Sequence, residues 1–555
     1  MLSRVPMIDK GKGVKDKVID FARIRAPGTT TTTTTPPAYH PNDILLSTPP
    51  SKNAILESLV ENVRARNARL PPGRDKMAFG ACELKVEMPL LLNQPGAPLP
   101  CRESPAEFET VNAHFSAQIH AFFNALHALE DMADKASSDD LNLCRPDECL
   151  RPVICVSNQS FEPHLDCLHR AFHTRLLTVQ NPDSLPLFNR VTQLRILPDR
   201  DVTFDPINMR PVSLRTPLEL TTRLPQLREL DCPWLWERFP VAFTSKALRI
   251  ISRVWAGLWR DDRAEFARAV RHAMPLLPSS LIKVRLWFWR PSSHGDEVDQ
   301  AAQLPDLVGT SSSSSSTNEF GSMDPVSLGL RDLGSRLEEL DVRALITPDL
   351  FPSGGDGPSW SHMRHLKVEF HPCAPDGSWY FSGPRGEDPQ ATGFAITREE
   401  HYPPGLEDDD ETHQLMSDEE EEYWGDAPDI YDLHNPDLFR LRPIAERINP
   451  LLLAFASSLQ RQKMPAFRDA ELFTWLTWRP SKERPKEHEG SDEVSPTSYE
   501  EETVMFRWGV RYEAPAVGRN GKGKVTWQVG EDWRPEDRVI KAFEHLVEED
   551  PEDYI

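Results

Sequence analysis

The sequence predicts an α/β fold, in which parallel strands alternate with helices along an irregular solenoid. Three observations lead to this prediction: a short apolar pattern that recurs along the chain, amphipathic stretches between its copies, and a C-terminus rich in strand patterns. The chain has 555 residues, 39% of them hydrophobic, which is enough for a sizeable core. Length alone suggests three or four domains of about 150 residues, although a solenoid would not divide in that way.

The recurring pattern is h-x-x-h-x-h, where h is an apolar residue. Its last two apolar positions alternate as in a strand, and the first lies where a chain turning into that strand places an apolar residue inward. Leu227, Leu230 and Cys232 form such a set within LPQLRELDCPWLW. Seven more sets fit, the last two more weakly: Val191/Leu194/Ile196, Leu281/Val284/Leu286, Leu337/Leu340/Val342, Met363/Leu366/Val368, Phe467/Ala470/Leu472, Ala81/Leu84/Val86 and Leu150/Val153/Cys155.

The spacing of these sets is irregular. From Val191 onward, their first residues are 36, 54, 56, 26 and 104 positions apart. A regular leucine-rich repeat has 20–29 residues per turn, so we predict a leucine-rich-repeat-like solenoid with long loop insertions rather than a regular one. The prediction requires that Leu194, Leu230, Leu340 and Leu366 stack in neighbouring strands.

Amphipathic stretches between the sets predict helices. One apolar stripe is formed by Phe115, Ile119, Phe122, Leu126 and Leu129. Two more helices are predicted over Ala264–Met274 and Ile444–Arg461. Strands that alternate with helices favour a parallel sheet with right-handed crossovers.

The C-terminus has a different pattern. Val504–Tyr512 and Lys524–Val529 alternate as strands around a Gly-rich loop, and a helix is predicted near Glu536–Val547. We therefore predict an antiparallel hairpin with a helix, which packs on the body and caps its open sheet.

Low-complexity segments divide the chain. Seven threonines, six serines and a run with eleven acidic residues (Glu407–Asp426) offer little to bury. The predicted organisation is a disordered Thr/Pro-rich segment 1–53, a body 54–479 with disordered insertions near 291–325 and 387–429, a disordered loop 480–502, and the cap 503–555.

Composition excludes several partner classes. The net charge of −23 and the pI near 5.2 argue against nucleic acid and anionic membranes as main partners. No stretch approaches the ~18 apolar residues of a membrane span, and the first 25 residues lack the apolar core of a signal peptide. Eight cysteines are too few for a disulfide scaffold, so we expect an intracellular protein, cytoplasmic or nuclear.

Catalytic and cofactor motifs are weak. Gly518–Val525 resembles a phosphate-binding loop, but Val525 replaces the Ser or Thr that binds magnesium, and the chain continues as a strand. Cys144 and Cys149 lack a second pair for zinc, and no nucleophile has a base beside it in sequence. We predict no catalytic, cofactor or metal residues, and no cofactor.

Aromatic residues lie in short groups, for which two explanations stay open. Core and loop packing is the ordinary one; alternatively, some are binding anchors, since Trp and Tyr are enriched in interface hot spots. The groups are Trp234/Trp236, Trp287–Trp289, Trp379–Phe381 and Trp475/Trp478. Ser417, in SDEEEE, is a candidate phosphorylation site of the casein-kinase type.

Several blocks from about residue 83 onward resemble a large group of F-box/leucine-rich-repeat-like proteins of filamentous fungi. They are LKVEMP (84–89), CRES (101–104), LPQLREL (224–230), RLEELDV (336–342), MRHLKVEFHPCAPDGSWYFSGP (363–384), MPAFRDAELFTWL (464–476), FRWGVRY (506–512) and WQVGEDWRP (527–535). The resemblance implies an N-terminal F-box that docks on the adaptor of a cullin ubiquitin ligase, and a repeat region that holds the substrate. The F-box itself is not recognisable here, since Ala54–Leu70 predicts only one helix.

These observations predict a non-enzymatic scaffold for protein–protein interaction, with an F-box-type substrate receptor as its specific form. The partner is a protein that the sequence does not identify, and the residues that bind it are unknown. The alternative is an enzyme with an unrecognised active site in a Trp-lined cleft. Polar residues that meet at one strand end with perturbed pKa values would favour the enzyme, whereas a broad open strand face would favour binding.

Overall fold

The computed structural model shows an α/β protein with one large, mostly parallel sheet, helices, and a small antiparallel sheet. The residues that it describes are 49–68, 81–89, 103–135, 150–156, 173, 175–198, 210–233, 237, 239–240, 253–289, 298–309, 319–352, 359–403, 436–481, 484, 504–515, 522–530 and 533–548.

Ten strands form the large sheet and two form the small one. The large sheet contains β1 (Ala81–Val86), β2 (Arg151–Val156), β3 (Gln193–Pro198), β4 (Glu229–Cys232), β5 (Lys283–Trp287), β6 (Glu339–Ala344), β7 (His365–Phe370), β10 (Asp469–Trp478), β11 (Val504–Glu513) and β12 (Lys524–Gln528). The small sheet pairs β8 (Phe381–Ser382) with β9 (Arg442–Pro443).

Strands of the large sheet lie side by side in the order of the sequence. From β1 to β7 and on to β10 all pairs are parallel, whereas β10, β11 and β12 pair antiparallel. Parallel neighbours require crossover connections, and these carry the helices. The predicted parallel sheet and C-terminal hairpin are therefore confirmed.

Leucines of distant sets stack across the sheet as predicted. Leu194 lies opposite Leu230, and Leu340 lies opposite Leu366. Val284 joins the two pairs, since it lies between Leu230 and Leu340. All five side chains are buried, so they form one continuous apolar rung on the inner face of the sheet.

The first residue of most sets is also buried. Val191, Leu227, Leu281, Leu337 and Met363 are at most 3% exposed, and Phe467 packs against the same core. Val191 forms an isolated bridge with Leu150, but each of the others closes a turn just before its strand, as the hydrogen bond from the Leu227 N–H to the Leu224 carbonyl oxygen does. The predicted turn into the strand is confirmed for β4, β5, β6, β7 and β10.

The set Leu150/Val153/Cys155 was placed on the wrong residues of its strand. Leu150 is in the main core, but the inward positions of β2 are Ile154 and Val156, which pair with Leu84 and Val86. Val153 and Cys155 lie on the other face, where they pack against Leu197. The stretch PVICV is apolar on both faces, so its sequence pattern did not distinguish the two registers.

Eight α-helices are described: α1 (Lys52–Ala68), α2 (Pro105–Lys135), α3 (Thr216–Thr221), α4 (Ala256–Ala273), α5 (Pro325–Gly334), α6 (Arg398–His401), α7 (Ala445–Ser458) and α8 (Asp537–Glu548). Short 3-10 turns lie at Pro182–Ser184 and Pro348–Leu350. The predicted stripe of α2 is buried in the main core, whereas α4 begins eight residues before its predicted start. No described helix is both long and apolar enough to span a membrane.

The C-terminal helix α8 packs against β11 and β12, at the antiparallel end of the sheet. The Tyr512 hydroxyl donates a hydrogen bond to the Leu546 carbonyl oxygen at 2.8 Å, and the Trp527 ring packs against Phe543 with centroids 4.9 Å apart. Val539 and Phe543 are buried against the main core. The hairpin and helix therefore pack against the main core.

Parts of the predicted insertions have defined positions. Residues 298–309 and 387–403, which fall in the predicted disordered insertions, lie against the body. Val298, Leu304 and Leu307 are buried in a second core cluster, and the Tyr402 ring lies against α4. These segments are rich in polar and small residues, so their composition did not indicate that a few apolar side chains are buried.

The stacked rung leads to a test of stability. Leu340→Ala removes buried apolar groups between Val284 and Leu366 and should lower the free energy of unfolding by about 2–5 kcal/mol. Denaturant unfolding measures this loss. The matched control is Glu339→Ala on the same strand, whose exposed side chain should cost under about 0.5 kcal/mol. Equal losses for the two variants would contradict the inward position of Leu340.

Candidate functional site

The strand residues that alternate with the apolar rung form the opposite face of the sheet, which we call the outer face. Successive side chains of a strand point to opposite faces, so these residues lie away from the main core. The edge row is Gln193, Glu229, Lys283, Glu339, His365 and Asp469. The central row is Arg195, Asp231, Arg285, Asp341, Lys367, Glu471 and Arg511. The aromatic row is Trp287, Arg343, Glu369, Phe473 and Gly509.

Charge alternates in sign along the whole central row. A cation lies on β3, an anion on β4, and the alternation continues without a break through β11. In the edge row, β4, β6 and β10 again carry carboxylates and β5 carries a lysine. β4, β5 and β6 therefore alternate in sign in both rows, whereas at the antiparallel end Asp469 on β10 lies opposite another carboxylate, Glu513 on β11.

Ion pairs join neighbouring strands within the central row. Asp231 accepts hydrogen bonds from Arg195 at 2.8 Å and from Arg285 at 2.7 Å, and its side chain is only 2% exposed. Lys367 Nζ lies 3.6 Å from Asp341. The two arginines and the lysine are between 31% and 44% exposed, so they retain surface for a further contact.

The edge row continues the same pairing closer to solvent. Lys283 Nζ lies 3.2 Å from Glu339 and 3.9 Å from Glu229. The lysine is therefore placed between two carboxylates, one on each neighbouring strand. His365 Nδ1 lies 2.6 Å from Asp469 and joins β7 to β10. Exposed pairs of this kind contribute about 0–1 kcal/mol each, so their arrangement matters more than their strength.

Trp287 is the centre of the aromatic row. Its indole N–H donates a hydrogen bond to Asp341 at 3.1 Å. Three cations lie near its ring: Arg343 at 4.3 Å, Arg285 at 5.2 Å and Lys367 at 5.9 Å from the centroid. Arg343 is also paired with Glu369 at 2.9 Å. These contacts hold the half-buried indole in one orientation on the outer face.

A second aromatic group lies on β10. Arg507 stacks over Phe473 at 3.9 Å and lies 6.0 Å from the Trp475 centroid, while it also pairs with Glu471 at 2.7 Å. Gly509 is opposite Phe473, and a Cβ there would lie 2.6 Å from the Phe473 Cβ. The glycine therefore makes room for the phenylalanine in the aromatic row.

Beyond the carboxyl ends of β5, β6 and β7 lies a group that we call the aromatic cluster: Phe239, Trp259, Trp289, His371 and Trp379. The His371 ring stacks on Phe239 with centroids 4.4 Å apart and meets Trp289 edge-on at 5.3 Å. The burial of His371 among these rings lowers its pKa to about 3, although its Nδ1 accepts the Cys373 N–H. His371 is therefore neutral at physiological pH.

The aromatic cluster contains polar residues with shifted pKa values at the ends of strands, which would favour an enzyme. The direction of these shifts, however, is the one expected for groups buried in a core. Burial raises the pKa of the Cys373 thiol well above its ordinary value, whereas a nucleophilic cysteine needs a lowered one. The thiol donates to the neighbouring Ala374 carbonyl oxygen at 3.1 Å. Within the described residues, no group of three or more metal-binding side chains could hold an ion.

A buried ionic network connects the aromatic cluster with the helices. Arg263 on α4 donates hydrogen bonds to Glu237 and, at 2.6 Å, to Asp324. Asp324 caps α5 by accepting the Ser327 N–H at 2.8 Å, and Trp259 donates to Glu237 at 3.3 Å. All three charged side chains are buried, so removing Arg263 would leave two buried carboxylates without their cation, at a cost of about 3–5 kcal/mol.

The predicted aromatic groups take two different roles. Trp287 and Trp475 lie on the outer face, whereas Phe288 and Trp379 are buried. Ser417, Trp234, Trp236, Cys144 and Cys149 lie outside the described residues, as does the first half of the Gly518–Val525 loop. The last two residues of that loop, Lys524 and Val525, belong to β12.

The central row was not predicted from the sequence. Its members are the middle residues of h-x-h in the sets from Val191 onward, and they spell Arg, Asp, Arg, Asp, Lys and Glu in order. Opposite charges on neighbouring strands stabilise a pairing, so this order of signs could have predicted both the face and the neighbours of each strand.

Comparison of the chain with protein-family models, with curated proteins and with solved structures found no match.

The neutral state of His371 leads to a pH-dependent prediction. The unfolded chain takes up a proton near the ordinary pKa of 6.5, but the folded protein does so only near 3. Between these values the unfolded state binds more protons, so His371 costs stability as the pH falls. His371→Asn should therefore be less stable than wild type at about pH 7, and this difference should shrink at about pH 4.5. Urea unfolding at both pH values measures the difference, and a constant or larger gap at low pH would refute the prediction.

Proposed function

We propose that this protein is a non-enzymatic scaffold that binds a protein partner on its outer face. The observation that carries the proposal is the ordered central row, in which seven strands carry charges of alternating sign beside fixed aromatic side chains. A catalytic site needs a few reactive groups in one place, whereas this face extends across the strands without a reactive centre.

The chemistry of the outer face is that of protein interfaces. Trp and Arg are the residues most enriched in hot spots, and Trp287 lies among Arg285, Arg343 and Lys367. Their ion pairs and stacking contacts hold the side chains in place before a partner binds. Preorganisation of this kind lowers the entropic cost of association.

We further propose that the parallel body is a leucine-rich-repeat-like solenoid. The support is the order of the strands, which follows the sequence from β1 to β7 and β10, with an apolar set in each repeat unit. A solenoid offers an extended face for binding, because every repeat adds one strand to the same surface.

An F-box-type substrate receptor of a ubiquitin ligase is the specific form of this proposal. The resemblance of the blocks between residues 84 and 535 supports it. The one described helix before β1 does not supply the adaptor site, since α1 buries Ile55, Leu59 and Val60 in the main core. Docking on the adaptor would therefore use another segment of the chain.

Affinity capture tests the scaffold with a pair of matched variants. Arg285→Ala removes an outer-face arginine that is paired with Asp231 and lies over Trp287. The control, Arg271→Ala on α4, removes an arginine that is paired with Glu319 at 2.6 Å and lies over Phe320 at 4.5 Å. Full-length proteins are incubated with extract from cells that naturally produce the chain, and captured proteins are quantified by mass spectrometry.

Wild type and Arg271→Ala should capture the same proteins, and Arg285→Ala should capture at least about fivefold less of them, equivalent to about 1 kcal/mol. No enrichment over background, or equal enrichment with all three proteins, would contradict binding on the outer face. Captured partners without a cullin-ligase adaptor would contradict the receptor form alone.

A further inference from the structure

We propose that the partner surface which the outer face binds is a single amphipathic α-helix that lies across the strands. This inference rests on the proposed binding function and names the shape and charge pattern of the partner. The helix carries acidic and basic residues that alternate every three or four positions, with an apolar edge beside them.

The period of the charges selects a helix over an extended chain. Neighbouring strands are ~4.8 Å apart, so the sign in the central row repeats every ~9.6 Å. Seven helical residues span ~10.5 Å, and a tilt of ~24° from the row brings this repeat to ~9.6 Å. On one face of an extended chain, side chains recur every ~6.8 Å, so alternating signs would repeat every ~13.6 Å, which does not match.

The dimensions of the outer face also suit a helix. Seven strands in the central row span six spacings, or ~29 Å, which equals ~19 helical residues. The three rows span ~14 Å along the strands, and a helix with its side chains is ~10–12 Å across. The aromatic cluster bounds the face at the carboxyl ends of β5 to β7, so a helix would lie beside it.

Charge complementarity fixes what the helix presents to each row. Lys367 and Arg285 remain 44% and 34% exposed after pairing, and Asp341 remains 30% exposed. Each of these side chains can form a second ion pair on its solvent-exposed side and keep its ion pair with the neighbouring strand. Trp287 and Trp475 offer half-buried rings in and beside the aromatic row, which suit Leu or Met side chains along the edge of the helix.

A synthetic peptide tests this inference directly. The probe contains three copies of Glu-Leu-Ala-Ala-Lys-Leu-Ala with blocked ends, which places Glu and Lys on one side and Leu beside them. The control peptide has the same composition and the same Leu positions, but its three Glu precede its three Lys. Fluorescence anisotropy measures the affinity of each labelled peptide for the full-length protein, and circular dichroism checks that both peptides are equally helical.

Charge-swap variants locate the binding site and keep an ion pair in place. Lys283→Glu with Glu339→Lys reverses the edge-row signs of β5 and β6 and leaves their central-row charges unchanged. Both residues are exposed at the edge row. The matched swap, Arg271→Glu with Glu319→Arg, reverses an equally exposed pair beside α4. Thermal unfolding of both variants shows whether each fold is intact.

The alternating peptide should bind wild type and the Arg271/Glu319 swap at least about tenfold more tightly than it binds the Lys283/Glu339 swap, a difference of about 1.4 kcal/mol. The block-charged peptide should bind wild type at least about tenfold more weakly than the alternating one. Equal affinities of the two peptides, or of the two swap variants, would overturn the inference. If Arg285-dependent partners are captured but the peptide does not bind, the helix is wrong and the scaffold stands.

Discussion

Register between parallel strands is the constraint on which the rest of the structure depends. Because β3 to β7 and β10 pair without a shift, the last two apolar residues of each set meet their counterparts on both sides. A slip of one residue would turn Leu230 outward and Asp231 into the core. The apolar rung and the alternating charges are therefore two consequences of one register.

The two faces contribute to stability in different ways. Burial of side chains such as Leu340 and Val284 supplies most of the stabilisation, at roughly 25 cal/mol for each Å² of apolar surface. The edge-row pairs of the outer face supply little energy, since exposed ion pairs contribute about 0–1 kcal/mol each. The outer-face charges favour the correct strand order instead. If a strand moved one place along the sheet, it would lie beside a strand whose central-row charge has the same sign.

Much of the fold could be predicted because it repeats. The turn residue, the two inward residues and the helix stripes follow fixed periods, so Leu194, Leu227 and Phe122 were placed correctly. β2 was not, because its apolar residues on both faces leave no alternation to detect. The buried Arg263 network and the aromatic cluster join residues that are far apart in sequence but close in the structure. No local sequence pattern indicates such contacts.

The most direct measurement of the central claim is disulfide trapping between outer-face positions. Adjacent parallel strands place facing Cα atoms ~4.8 Å apart, within the range that a disulfide bridges, whereas strands two apart are ~9.6 Å from each other. Cysteines at 283 and 339 should therefore cross-link on mild oxidation, as detected by peptide mass spectrometry, and cysteines at 283 and 365 should not. Efficient cross-linking of 283 with 365, without that of 283 with 339, would contradict the strand order and the charge pattern that follows from it.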